Sequence, residues 1–269
     1  MDTQASIGVF DSGVGGLTVV KEIMRQLPEE NMIYFGDTAR VPYGSKSKKT
    51  VLKYSRQIVR FLMEHQVKAI VVACNTASAL ALDELKDEID IPIMGVVEPG
   101  AKMAAESTKT NSIGIIGTES TIKSGIYSKY LRKINPELTV VSRACPLFVP
   151  LVEEGLLEDR ITDDVIERYL HELKEYGIDS LILGCTHYPL IRNAIGRYMG
   201  PEVTLVNPAY ETAKSLKVML AEQKLLNQSG ELARYEYYVS DGVDKFSTFA
   251  DRVLPCDVER AKVVDIESY

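Results

Sequence analysis

Short apolar runs alternate with longer amphipathic stretches along the whole chain, the pattern of βα units around a mainly parallel sheet. The runs SIGVF (6–10), MIYFG (32–36), KAIVVA (68–73), IPIMGV (91–96), SIGIIG (112–117), LTVVS (138–142), SLILG (180–184) and VTLVN (203–207) predict strands. A helix is predicted over 161–176, where Ile161, Val165, Ile166, Tyr169, Leu170 and Leu173 fall on one stripe. Thr162 and two aspartates at its start suit the partial positive charge of a helix N-terminus. The fold class is α/β.

The pattern repeats. Ser6-Ile-Gly-Val-Phe recurs 106 residues later as Ser112-Ile-Gly-Ile-Ile, and VKAIVVACNT (67–76) aligns with IDSLILGCTH (178–187) at an offset of 111. MIYFG against LTVVS is a third, weaker pair. Matches in the same order at nearly the same offset predict a duplication: two similar lobes with mainly parallel sheets, related by pseudo-twofold symmetry. Equivalent strand ends would then converge on one cleft, where open α/β sheets place their ligands. The first lobe is expected to take residues 1–97 and 208–269, and the second 98–207. The segment LNQSGELAR (226–234) reads as a flexible loop in the first lobe.

A formal net charge of -7 over 269 residues changes the picture by exclusion: general binding to nucleic acid or an anionic membrane surface needs a basic face. An anionic small substrate would have to be held by backbone N–H groups and hydroxyls. The start, MDTQASIGVF, has no basic region followed by a long apolar stretch, and no run approaches membrane-spanning length, so a cytoplasmic location is expected. Cys74, Cys145, Cys185 and Cys256 form no Cys-x-x-Cys pair and should be free thiols in a reducing compartment.

Candidate chemistry sits at the strand ends. DSGVGG (11–16) lacks the third glycine of a dinucleotide loop. It permits a tight turn, and it also puts Asp11 and Ser12 where a substrate ammonium and carboxylate could be held. GDTARVPYGSKS (36–47) reads either as a surface turn or as a loop whose backbone approaches a ligand at Pro42, Tyr43 and Gly44. ACNTAS (73–78) and GCTHYP (184–189) each set a cysteine between a strand and a helix, where the helix N-terminus should lower a thiol pKa. Cys145 and Cys256 read as small buried hydrophobes. A metal site is not expected, because besides His187 the only histidines, His65 and His171, fall on charged helical stretches and read as surface residues. A cysteine hydrolase would leave its second cysteine unexplained. Two repeat-related thiols suit racemisation, which removes a proton from one face of an sp³ carbon and delivers one to the other. Ser12, Asn75, Thr76 and Thr186 beside them suit a bound amino acid, and no cofactor motif appears.

DSGVGG, GDTARVPYG, ACNTAS and GCTHYPLI, in this order and spacing, resemble the bacterial glutamate racemases of the aspartate/glutamate racemase family, and the resemblance covers essentially the whole chain. It implies a cofactor-independent enzyme interconverting L- and D-glutamate for peptidoglycan, with two α/β lobes, paired cysteines and homodimerisation common. It assigns removal of the α-proton of D-glutamate to Cys74 and of L-glutamate to Cys185. Asp11, His187 and Glu153 (from PLFVPLVEEG) would assist. Asp11, Ser12, Tyr43, Gly44, Asn75, Thr76, Thr186 and His187 would contact substrate, with Thr118 and Thr121 as further contacts. The related aspartate racemases typically carry Thr-Glu after the second cysteine, where this chain has Thr186-His187. The rival readings are an aspartate racemase, a one-cysteine decarboxylase of the same fold, and a non-catalytic amino-acid-binding protein.

Overall fold

A computed structural model describes residues 2–255 and 261–269; Cys256 lies outside the described residues. Eight strands fall on the eight predicted runs: β1 (Ile7–Asp11), β2 (Met32–Gly36), β3 (Ala69–Val72), β4 (Ile93–Gly95), β5 (Ser112–Gly117), β6 (Thr139–Ala144), β7 (Ser180–Gly184) and β8 (Thr204–Val206). Two more, β9 (Tyr235–Val239) and β10 (Lys262–Val263), were not predicted. One sheet has the order β10-β9-β2-β1-β3-β4 and the other β6-β5-β7-β8. All strand pairs are parallel.

The orders β2-β1-β3-β4 and β6-β5-β7-β8 are the same arrangement written twice, and they pair the strands that the sequence repeat pairs. β1, β2, β3 and β7 are buried along their whole length, as strands covered on both faces by helices must be. That burial explains why they read as unbroken apolar runs and not as alternating ones. After β8 the chain forms the helix Pro208–Glu222, which packs on the helices Leu17–Gln26 and Val97–Ser107, and then adds β9 and β10 to the six-stranded sheet. Residues 225–234 contain no helix or strand. The largest core cluster draws on both sheets, joining Val14, Tyr34 and Phe246 to Leu183, Tyr188 and Ile191.

Two local expectations need correction. The helix predicted over 161–176 runs Arg160–Glu175, but Ile161 is 57% exposed while Thr162 is fully buried. Asp159 is the N-cap and accepts from the Ile161 amide at 2.8 Å; Thr162 Oγ1 donates inward to the Leu156 carbonyl. The cap sets the rotation of the first turn and outweighs the apolar character of Ile161. His65 is also not a solvated surface residue: it caps the helix Lys48–Glu64 and is half-buried against the rings of Phe61 and Tyr238. His171 is exposed beside Glu175, and Cys145 is fully buried, both as expected.

Candidate active site

The carboxyl ends of β1, β2, β3, β5 and β7 open onto one cavity of about 410 Å³. Ser12 follows β1 on its wall, Pro42, Tyr43 and Gly44 come from the loop after β2, and Cys74, Asn75 and Thr76 follow β3. Across from these elements, Thr118 follows β5, Glu153 ends the helix Phe148–Glu153, and Cys185, Thr186 and His187 follow β7. Residues scattered from 12 to 187 therefore line one cavity, with one cysteine supplied by each sheet. Asp11 and Thr121 are not on its wall; both are buried behind it. Gly15 explains how tightly the two halves meet: a Cβ there would lie 2.3 Å from Thr186 Oγ1 and 2.5 Å from His187 Nδ1. Thr18 Oγ1 donates to the Thr186 carbonyl at 2.9 Å and secures the same junction.

Cys74 is the N-cap of the helix Asn75–Leu80, and its Sγ accepts from the Ala77 amide at 3.5 Å and approaches Ser12 Oγ at 3.6 Å. The helix end was expected to lower this thiol. Instead its pKa is raised to about 12, first by burial and then by the charge of Asp11, which together outweigh the Ala77 and Ser12 hydrogen bonds. The unliganded site thus holds Cys74 as a neutral thiol. Alkylation of Cys74 by iodoacetamide, followed by peptide mass mapping, should still be accelerating between about pH 9 and about pH 11, where an ordinary thiol has levelled off. A plateau near pH 9 would contradict the raised value.

On the other side, Cys185 Sγ lies 3.8 Å from His187 Nδ1, and His187 Nε2 lies 3.3 Å from Glu153 Oε1. The second contact is too oblique for a well-formed hydrogen bond, so it acts as an ion pair. Burial pulls the His187 pKa down, but Cys185, Glu153 and Asp11 together raise it to about 10. His187 holds Glu153 down to about 2, against burial and with help from Lys245 at 2.8 Å. For His187, raised above 6.5, the stabilising contribution is complete below that value and lost as pH climbs through about 10. For Glu153, lowered from 4.5, it is complete above that value and lost as pH falls through about 2. The pair is therefore ionised across the neutral range. Cys185 is followed not by an α-helix but by the short 3-10 turn Tyr188–Ile191, so the helix-end effect expected there has no full helix behind it.

Asp11 is fully buried, accepts from the Gly13 amide at 3.0 Å and leaves Oδ1 without a partner. Burial raises its pKa, against the pull of His187. Among the described residues no lysine or arginine lines the cavity, so an anionic ligand would meet hydroxyls, amides and the His187 imidazolium, beside the carboxylates of Glu119 and Glu153. Thr76, Thr118 and Thr121 form a hydroxyl triangle at 2.9–3.3 Å that ties the two halves. Asn75 Oδ1 accepts from the buried Tyr127 hydroxyl at 2.6 Å, a fixing contact the sequence reading missed. Also missed were Ser45, Glu119, Pro146, Val149 and Pro150 on the wall, none of which sits in a repeated motif. The helix Val243–Val253 was missed too: its Lys245 reaches Glu153 and its Phe249 packs on the His187 ring at 6.0 Å between centroids. The only available signal was their spacing of one helical turn.

Known proteins resemble this chain over nearly its whole length. The Asp/Glu/Hydantoin racemase family model matches residues 7–216. A glutamate racemase of Geobacter metallireducens is 51% identical over 249 residues, 93% of this chain and 92% of that protein. The crystal structure of a glutamate racemase isoform from Bacillus anthracis superposes with a TM-score of 0.95 at 40% identity, covering 98% of each chain. The glutamate racemase of Francisella tularensis, solved in complex with D-glutamate, gives 0.93 at 40% identity, covering 99% of this chain and 100% of that one.

Proposed function

This chain belongs to the Asp/Glu/hydantoin racemase family, and we propose that it is a cofactor-independent glutamate racemase working through two cysteines. The observation that carries the reading is the pair of thiols, Cys74 and Cys185, delivered by equivalent strands of the two sheets to one cavity. Starting from L-glutamate, the Cys185 thiolate takes the α-proton and the Cys74 thiol gives its proton to the opposite face. The product is D-glutamate, with Cys185 now a thiol and Cys74 a thiolate. The reverse reaction exchanges the roles.

The surroundings support this cycle. His187, ionised and held by Glu153, faces Cys185 and can hand it back a proton. Asp11, whose charge is felt at Cys74 and whose protonation is favoured by burial, is suited to take up the Cys74 proton. Ser12, Asn75, Thr76 and Thr186, with the backbone at Pro42, Tyr43 and Gly44, would hold the substrate's ammonium and carboxylates. Glutamate bound to the Francisella tularensis relative supports glutamate as the substrate here. Supply of D-glutamate to peptidoglycan, a cytoplasmic location and homodimerisation belong to the same reading. Among the described residues no helix is long and apolar enough to cross a membrane.

Incubation with L-glutamate in heavy water, without added cofactor, should abolish optical rotation and place deuterium at Cα. Exchange with aspartate and not glutamate would make the protein an aspartate racemase. Loss of CO₂ would make it a decarboxylase, and tight glutamate binding with no exchange would make it a binding protein.

A further inference from the structure

Glu153 is held at both oxygens. Oε1 faces His187 Nε2 at 3.3 Å and Oε2 accepts from Lys245 Nζ at 2.8 Å. The two partners come from different parts of the fold. Glu153 ends a helix between β6 and β7 of the four-stranded sheet, whereas Lys245 belongs to the helix between β9 and β10, both in the six-stranded sheet. Lys245 does not line the cavity. One turn further along its helix, Phe249 packs on the His187 ring, so a single helical face touches both members of the pair that supports Cys185.

We propose that Lys245 is a positioning residue for racemisation: from the adjoining lobe it fixes the Glu153 carboxylate against His187 and so sets the ease of proton transfer at Cys185, without touching substrate. The inference rests on the racemase reading. A carboxylate with one oxygen anchored presents the other in a fixed direction, and His187 then keeps its orientation toward Cys185. Without the anchor, Glu153, already partly exposed, can turn toward water. As a stabilising contact alone the pair would matter little, because the lysine side chain is 68% exposed. Among the described residues no equivalent lysine contact serves Cys74, whose neighbours include Ser12, Ala77 and Asp11. The effect should therefore be one-sided.

One-sidedness is what the experiment reads. Wild type, Lys245→Met and Lys245→Arg are compared with L- and D-glutamate carrying deuterium at Cα, and the isotope effect on kcat/KM is measured in each direction. Lys245→Met should lower kcat roughly 3- to 10-fold, the loss of one partly screened charge-assisted bond, with a smaller change in KM. Slowing transfer at one thiol makes removal of deuterium by that thiol more limiting and removal by the other less so. The two isotope effects should therefore move in opposite directions, and Lys245→Arg should restore both. A protein merely weakened in structure would lose rate with both isotope effects unchanged. That result, or unaltered kcat in Lys245→Met, would overturn the role of Lys245 while leaving the racemase reading in place. Wild type that fails to exchange the α-hydrogen of glutamate would overturn the reading itself, and the inference with it.

Discussion

Cys74→Ala and Cys185→Ala should each lower glutamate racemisation by at least about 10³-fold, within the range expected when a positioned acid or base is removed. Neither loss can be covered by the remaining thiol, because inversion needs a proton taken from one face and another delivered to the opposite face. The residual chemistry should be asymmetric. In Cys74→Ala, exchange with heavy water should survive only for L-glutamate and without inversion, since Cys185 can take a proton and return it to the same face. In Cys185→Ala it should survive only for D-glutamate. Both variants should fold: each thiol packs on a core cluster but also borders the cavity, and the truncation removes a single sulfur atom. Full activity in either variant would end the two-thiol account. Inversion surviving in both would assign the chemistry to another group, with the buried Asp11 and His187 as the nearest titratable groups.

The architecture was legible because of how parallel sheets are buried. Strands such as Phe35's MIYFG and Leu183's SLILG are covered on both faces, so every position is buried, nearly all are apolar, and the run stands out. The repeat then related Cys74 to Cys185 across 111 residues, which no local motif could do. β9 escaped because YEYYV carries a glutamate toward solvent and has no counterpart in the second half of the repeat. The Cys74 pKa escaped for a different reason. A helix N-terminus is visible in sequence and favours thiolate, but the burial and the neighbouring Asp11 that reverse the sign exist only in three dimensions. Lys245 likewise becomes informative only when β9 and β10 bring its helix back to the first sheet and across to Glu153.

The largest effect on stability is expected far from the cavity, at the amino ends of the strands. Lys68, just before β3, and Glu30, just before β2, have side chains 0% and 2% exposed and face each other at 2.5 Å. Lys68 Nζ also donates to the Thr3 carbonyl, and Glu30 Oε1 accepts from the Asn227 amide at 2.8 Å, so the pair ties the N-terminus and the 225–234 segment to the first sheet. The Nζ–Oε2 contact is short but poorly directed, and Oε2 has no hydrogen-bond partner beyond it. Lys68→Met would leave Glu30 as a buried carboxylate facing a methyl group, a change that costs about 3–5 kcal/mol. For a protein of this size the melting temperature should fall by roughly 6–20 °C. Glu30→Gln added to Lys68→Met removes the unpaired charge and keeps an oxygen for the Asn227 amide. The double variant should therefore regain at least half of the loss, because most of the cost lies in the orphaned charge and not in the missing attraction. Thermal or urea unfolding of the three proteins tests this directly. A single-variant loss under about 1 kcal/mol would mean that water reaches Glu30 and the pair is not buried as described. A double variant no more stable than the single would place the cost in the packing around the Lys68 stem instead.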